Sequence, residues 1–491
     1  MANFEKNGPC NLNQPVLAWN INNEKKGVTK MDRDQLDKRL VQVVPSERQA
    51  AHQQMEFYSF VHFTVNTYTG REWGDGTESE AIFNPEKFDA GQWVEAVKAA
   101  GMKGLILTCK HHDGFCLWPS RYTDHTIAQS PYKEGKGDLV REVSDACRAG
   151  GIRFGVYLSP WDRNHKTYGY GKAYDDYFVD QLTELLTGYG DICSVWFDGA
   201  CGEGENGKKQ VYDWNRYYEV IRSLQPGACI HVCGPDVRWC GNEAGDTRES
   251  EWSVVPRRTS ETEMIAKESQ QTDDVKFRER KIKASDRDLG SRKMLEGEED
   301  LIWYPAEVNT SIRPGWFYHE EEDGQVRTLE ELMHIYYNSV GGNATFLLNI
   351  PPAKDGLFHE NDVKRLKEMG DHIRSIFAVN LLEKAKLNIE GVRQDGYDSY
   401  FKPEDGIREV EVIASFPEPV RVSHVVLKEN ILLSQRIESF EITDEEGRVL
   451  YRGSTVGYKK IAVFPAVEVK ELHIRILDSR ICPTLAFIGV Y

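Results

Sequence analysis

The sequence predicts an α/β protein, a (β/α)8-like barrel followed by a C-terminal antiparallel β-sandwich. Three observations predict it. Between residues 57 and 350, short apolar runs alternate with helical patterns. Most of those helical patterns end at glycine, and after about residue 380 the texture changes to period-two alternation between short polar turns. Continuous apolar strands between amphipathic helices belong to a parallel sheet covered on its faces. Five or more such units favour a barrel over an open doubly wound sheet, which shares the alternation. No glycine-rich dinucleotide fingerprint follows any of the strands.

The elements run in order. Residues 1 to 50 read as a polar leader, with residues 31 to 52 as a helix laid on the outside of the domain. Phe57 to Phe63 is a strand-like run, followed by a polar and aromatic loop from Asn66 to Gly74. Phe88 to Ala100 places Trp93, Val94, Val97 and Ala100 at helical spacing and stops at Gly101. Then come a strand over 104–108, a helix over 138–149, a strand over 153–158 and a helix over 175–187. A strand over 192–197, a helix over 212–224 and a strand over 229–232 follow. From about 246 to 300 the pattern fails, and Lys267 to Asp300 is dense in charge, as a solvated excursion or a lid over a site is. Periodicity resumes with a helix over 329–337, a strand over 345–350 and a helix over 361–377. The sandwich strands are 409–413, 420–427, 437–442, 461–464, 471–477 and 486–491. The division is therefore 1–380 for leader and barrel and 381–491 for sandwich.

Composition narrows the partners. The 491-residue chain suits one large domain and a smaller one. A net charge of -17 argues against a nucleic-acid partner, because phosphate demands a basic face. No apolar run of about 18 residues exists, so no membrane span is expected. The first fifteen residues lack the apolar core of a signal peptide, so the expectation is a cytoplasmic chain or one already processed. Cys109, Cys193, Cys229 and Cys233 lie in or beside strand-like runs as small core residues, and the absence of a C-x-x-C pair disfavours structural zinc. The tripeptides at Asn309 and Asn343 fit a glycosylation acceptor pattern that is frequent by chance.

The chemistry gathers at strand ends. Ser194-Val195-Trp196-Phe197-Asp198-Gly199 is a buried strand that ends in a carboxylate. Carboxyl ends of barrel strands carry catalysis, although an Asp there also suits a helix cap. His62 ends the first strand, His111-His112-Asp113-Gly114-Phe115 follows the second, and Tyr157 and Trp161 flank the third. Trp239 and the Gly241-Asn242-Glu243-Ala244-Gly245 loop follow the fifth, and Arg313-Pro314-Gly315-Trp316 adds a further ring. Such a mouth of imidazole, indole and carboxylate suits a sugar. His111 and His112 are also a candidate zinc pair, but adjacent strand residues point to opposite faces, which makes them awkward ligands for one ion.

His62 with its loop, His111-His112-Asp113-Gly114-Phe115, Trp196-Phe197-Asp198-Gly199, Asn242-Glu243 and Trp316 together resemble glycoside hydrolase family 29, the retaining α-L-fucosidases. The Asn242-Glu243 loop, Glu251-Trp252-Ser253 and Arg313-Pro314-Gly315-Trp316 resemble the subgroup specific for α-1,3/1,4-linked fucose on Lewis-type glycans. The resemblance implies Asp198 as nucleophile and Glu243 as acid/base, with Glu251 the runner-up. It also implies that His62, Glu72, Trp73, His111, His112, Tyr157, Trp196 and Trp316 contact the sugar. Retaining hydrolysis is proton and glycosyl transfer between two carboxyls, so no cofactor or metal is expected. The expected partner is a fucosylated oligosaccharide. The rivals are a fucosidase of broader linkage range, a zinc hydrolase using His111 and His112, and a non-catalytic fucose-binding protein.

Overall fold

The computed structural model describes residues 32–273, 275–283 and 286–491. Eight strands form a nearly closed parallel barrel. In chain order they are Phe57–Val61, Gly104–Lys110, Arg153–Leu158, Ser194–Phe197, Cys229–Val232, Arg238–Trp239, Ala306–Ser311 and Ala344–Asn349. The first five pair consecutively in parallel, and the eighth and seventh continue the sheet on the other side of the first. The sixth pairs with the seventh, and a parallel bridge from His231 to Val237 brings the fifth and sixth together.

Helices cover the outside, and their ends follow the predicted capping chemistry. Asp138 accepts from Arg141 N at 2.9 Å to start Leu139–Gly150, and Gly151, at φ +70°, ends it. Its buried face of Leu139, Val140, Val143 and Cys147 lies in the main core with strand residues Leu107, Val156 and Val195. Helices Ala90–Ala99, Lys172–Gly188, Trp214–Leu224, Leu329–Ser339 and Glu360–Ile376 complete the layer near their predicted positions.

Several expectations are corrected. Residues 31–52 do not form one helix. Arg33–Leu40 and Glu47–Gln53 are separate, with Pro45 between them, and residues 1–31 lie outside the described part. Nor do they lie merely on the outside. Leu36 and Leu40 pack with Trp303, Ile431 and Tyr458, so the first helix joins the barrel side to the C-terminal unit. Two barrel strands escaped the sequence reading. Arg238–Trp239 is only two residues long, and Ala306–Ser311 reads as polar because Glu307 and Asn309 face the barrel interior. The stretch where the pattern fails is bounded by regular elements: Val254–Pro256 pairs antiparallel with Leu301–Trp303, and Thr262–Glu268 is helical.

The C-terminal unit is an antiparallel sheet domain with its own core, including Leu382, Val412, Phe440, Ile474 and Ile488. The predicted strand pairs 409–413/420–427 and 461–464/471–477 are halves of two long strands, Val410–Glu429 and Lys460–Ser479. Register breaks near Ser415–Val420 and Val422–His424 let the pair pass from one layer to the other, with Ile437–Asp444 on one half and Leu485–Val490 on the other. Asn309 and Asn343, the two acceptor-pattern asparagines, are both buried. No disulfide joins the nine described cysteines, and no described helix is long and apolar enough to cross a membrane.

Candidate active site

The carboxyl ends of the strands surround a narrow, largely polar cavity. Its lining includes Asp198 and Glu243, and also His62, Glu72, Trp73, His111, His112, Trp196 and Trp316. Tyr157 reaches it through Asp198. All ten predicted site residues are therefore brought together.

Asp198 stands one residue beyond the fourth strand, its side chain 21% exposed. Ala200 N donates to Oδ1 at 2.8 Å, and the Tyr157 hydroxyl donates to Oδ2 at 2.9 Å. Burial raises the Asp198 pKa above its ordinary value, and these two donors pull against that rise. Gly199, the residue after it, is closely packed against the helix Thr262–Glu268 and against Ser269, which follows that helix. A Cβ on Gly199 would lie 2.0 Å from Ser269 Oγ and 3.2 Å from Ile265 Cγ2. The excursion thus presses against the strand end, and it adds Gln270 to the cavity wall.

Glu243 reaches the same cavity from the loop after the sixth strand. The Trp316 indole donates to it, while Oε2 is buried without a hydrogen-bond partner among the described residues. Burial first, and the Asp198 charge second, push its pKa up to about 8. Glu251 is placed differently. It is fully buried away from the cavity lining, paired with Arg238 and Arg248 at 2.8 Å each. Burial alone would raise its pKa, but the two arginines outweigh burial and hold it below the ordinary value.

The rings form a continuous wall. His62 Nδ1 is 2.8 Å from Asn349 Oδ1, and its ring lies 5.1 Å from Trp316 and 5.4 Å from His111. His112 Nδ1 is 2.7 Å from Ser159 Oγ, with Nε2 3.7 Å from Asp198 Oδ2. Burial pushes His62 and His112 down to about 3, so both are neutral imidazoles that hydrogen-bond without charge. Trp196 stacks on Tyr157 at 5.3 Å, and Trp73 meets His112 and Trp161 edge-on. Glu72 serves a second purpose. It accepts from Trp316 N at 2.7 Å and lies 2.7 Å from His319 Nε2, which clasps the Trp316 loop to the barrel.

The alternation argument against His111 and His112 acting together does not hold in the structure. The second strand ends at Lys110, so the two rings leave strand geometry and lie 4.1 Å apart. Their donor atoms and an Asp198 oxygen fall within 4.8 Å of one another. The sequence reading also missed several supporting residues. Glu307 accepts from Trp196 Nε1 and lies against His231 Nδ1, each at 2.8 Å, while Asn309 accepts from Trp239 and Asn349 orients His62. For Glu307 and Asn309 the signal was inward alternation within a polar strand, and for Asn349 a polar residue at the end of an apolar one.

Two carboxyls in a barrel-end cavity walled by imidazole and indole define a glycoside hydrolase. The α-L-fucosidase family model matches residues 41–376. Arabidopsis thaliana α-L-fucosidase 1 is 38% identical over 468 residues, covering 91% of this chain and 87% of the relative. A crystal structure from Bacteroides ovatus has a TM-score of 0.83 at 45% identity, covering 94% of this chain and 76% of the other. A Ruminococcus gnavus family 29 fucosidase in complex with fucose has a TM-score of 0.77 at 28% identity, covering 91% and 95%. The chain belongs to glycoside hydrolase family 29, the α-L-fucosidases.

Proposed function

We propose that this α-L-fucosidase works by double displacement, with Asp198 as nucleophile and Glu243 as acid/base. The observation that carries the reading is that Asp198 and Glu243 share one cavity and that the Asp198 charge helps keep Glu243 protonated to about pH 8. Held by Tyr157 and Ala200 N, an ionised Asp198 attacks the anomeric carbon. Glu243 gives its proton to the leaving oxygen, and the bond to the leaving sugar breaks. The covalent ester consumes the Asp198 charge. Glu243 then loses its largest electrostatic reason for a high pKa and takes a proton from the incoming water. Neutral His62, His111 and His112 offer hydrogen bonds to the sugar hydroxyls, and Trp316, Trp73 and Trp196 supply apolar faces. A related R. gnavus structure pairs an Asp-to-Ala variant with fucose, as expected when an aspartate is needed for turnover but not for binding.

The finer reading is specificity for α-1,3/1,4-linked fucose on branched Lewis-type glycans. It is supported by the Glu243 loop, which supplies the acid/base, and by Trp316, whose indole bonds to it. The test is fucose released from a Lewis-type trisaccharide, 2′-fucosyllactose and a nitrophenyl fucoside. Release from the branched glycan well above the other two supports the subgroup; equal release supports a broad fucosidase. Asp198→Ala should abolish turnover and keep fucoside binding, and activity within about tenfold of wild type, a change of about 1.4 kcal/mol, would remove Asp198 as nucleophile.

A further inference from the structure

Beside the Glu243 loop lies a second cavity, of about 450 Å³, whose wall includes Ala244 and Gly245. Four cations line it: Arg278, Arg280, Lys281 and Arg327. Arg327 donates to Ala244 O at 3.1 Å and to Ser311 O and Thr310 Oγ1 at 3.0 Å. Arg278 donates to the same Ser311 O at 3.1 Å, so two guanidiniums converge on one carbonyl. Both bind only neutral oxygens, and Arg278 Nε is buried with no partner among the described residues. Among those residues none of the four cations forms an ion pair. Of the cavity's three carboxylates, Asp246 accepts from Ile282 N and pairs with Arg287 at 3.1 Å. Glu331 caps its own helix through Thr328, and its charge reaches Arg278 and Arg327 without a direct ion pair. Glu330 is the third carboxylate on the wall, so the four cations outnumber the carboxylates. Burial, and then the Arg327 charge, push Arg278 down to about 9, and the more distant Glu322 and Glu331 charges only partly oppose them.

We propose that this cavity is a leaving-group subsite for an oxyanion, with Arg278 and Arg327 holding a carboxylate or sulfate borne by the glycan from which fucose is cut. The inference rests on the reading of Glu243 as acid/base, because that role puts the departing sugar on the Glu243 side. Fucose itself is neutral, and of the four cations Arg280 alone acts on Glu243, so Arg278 and Arg327 are left for a group on the leaving side. A fork of two guanidiniums fits the planar or tetrahedral oxygens of such a group.

The test compares kcat/KM for a neutral fucosylated trisaccharide, the same glycan carrying an acidic sugar, and the same glycan carrying a sulfate ester. The wild type should prefer at least one acidic form by roughly 10- to 100-fold, the range of one charge-assisted hydrogen bond. Which form is preferred distinguishes carboxylate from sulfate. Arg278→Met should erase the preference, and so should high salt acting on the wild type, a measurement independent of whether the variant folds. Equal rates on acidic and neutral glycans, or a preference indifferent to both changes, would overturn the subsite. Azide rescue separates the two readings. If rescue moves the acid/base role away from Glu243, the placement of the leaving sugar fails; if Glu243 stands and no preference exists, the subsite alone fails.

Discussion

The Tyr157 hydroxyl donates to Asp198 Oδ2 at 2.9 Å, on the opposite carboxylate oxygen from the one that Ala200 N holds. The ring is itself fixed by stacking on Trp196, whose Nε1 is tied to Glu307. A hydrogen bond to a charged group contributes roughly 1.5–3 kcal/mol, so Tyr157→Phe should lower kcat/KM by about 10- to 100-fold. The bond favours the ionised carboxylate, and losing it raises the Asp198 pKa further. The acid limb of the pH–rate profile should therefore move to higher pH. A Tyr157→Phe enzyme with an unmoved acid limb would show that the hydroxyl does not act on the nucleophile.

The alkaline limb belongs to Glu243. Its pKa of about 8 means that the proton needed by the leaving group is present below pH 8 and lost above it. kcat/KM should fall as pH rises through about 8. Glu243→Gln should remove that limb and slow natural glycans by roughly 100- to 10,000-fold, the usual worth of a general acid. Substrates with very good leaving groups should suffer less, and azide should restore Glu243→Ala but not Glu251→Ala. Azide rescue of Glu251→Ala alone would reverse the assignment.

Glu251 should instead behave as a structural residue. Removing one partner of a buried ion pair leaves an uncompensated charge and costs about 3–5 kcal/mol. Here two buried cations, Arg238 and Arg248, would lose their anion. Glu251→Gln should lower Tm markedly while the folded enzyme keeps a near-normal kcat. The sign with pH follows from its depressed pKa. The stabilisation is present above the ordinary glutamate value and is lost as pH falls through the lower folded value. The Tm gap between wild type and variant should accordingly close in strong acid. A variant of unchanged Tm and lost activity would return Glu251 to the active site.

Much of the fold and candidate site was legible because the strands that lead to Asp198 and the cavity histidines are largely apolar on both faces and end abruptly in polar residues. Trp196-Phe197-Asp198 shows this directly. What was not legible lies where the barrel interior is itself polar. Glu307 and Asn309 face inward from the strand Ala306–Ser311 to bond Trp196 and Trp239, and this polarity hides a barrel strand as a loop. The choice between Glu243 and Glu251 was likewise a matter of tertiary partners. Both glutamates sit in one polar stretch, and only the positions of Arg238 and Arg248 separate a buried ion pair from a carboxyl facing a cavity. The joint behaviour of His111 and His112 depends on the strand ending at Lys110, which residue alternation does not reveal.

His111, His112 and Asp198 place three donor atoms within 4.8 Å of one another, close enough for one divalent ion, and the proposed two-carboxyl mechanism makes a specific prediction about them. His112 Nδ1 is engaged with Ser159, and its Nε2 faces the nucleophile at 3.7 Å as a hydrogen-bonding neighbour. Dialysis against a chelator should leave kcat/KM within about twofold of the untreated enzyme, well under one factor of ten or 1.4 kcal/mol. Loss of activity on chelation, recovered by zinc, would favour the metal hydrolase.

We propose residue 380 as the division between barrel and C-terminal unit, and the contacts across it predict that the barrel will not stand alone. Glu56, just before the first strand, accepts from Tyr458 at 2.8 Å and Lys459 at 2.9 Å, with Lys428 at 3.5 Å. Burial raises the Glu56 pKa, but the lysines outweigh it and hold the carboxyl well below the ordinary range. Asn343, just before the eighth strand, accepts from Tyr458 N at 2.7 Å and donates to Glu251 O at 2.7 Å, while Gln435 accepts from Ser253 N at 2.8 Å. A chain cut after residue 380 strips Tyr458, Lys459, Lys428 and Gln435 from these contacts and exposes the apolar surface around Trp303 and Leu40. It should be insoluble or inactive, whereas Glu56→Gln in the full chain should fold with a Tm lowered by the loss of a buried anion, about 3–5 kcal/mol. That loss should shrink as pH falls below the ordinary glutamate value, where the unfolded chain takes up a proton at Glu56 that the folded carboxyl still resists. A truncated barrel with wild-type Tm and kcat/KM would show that the C-terminal unit does not buttress the site.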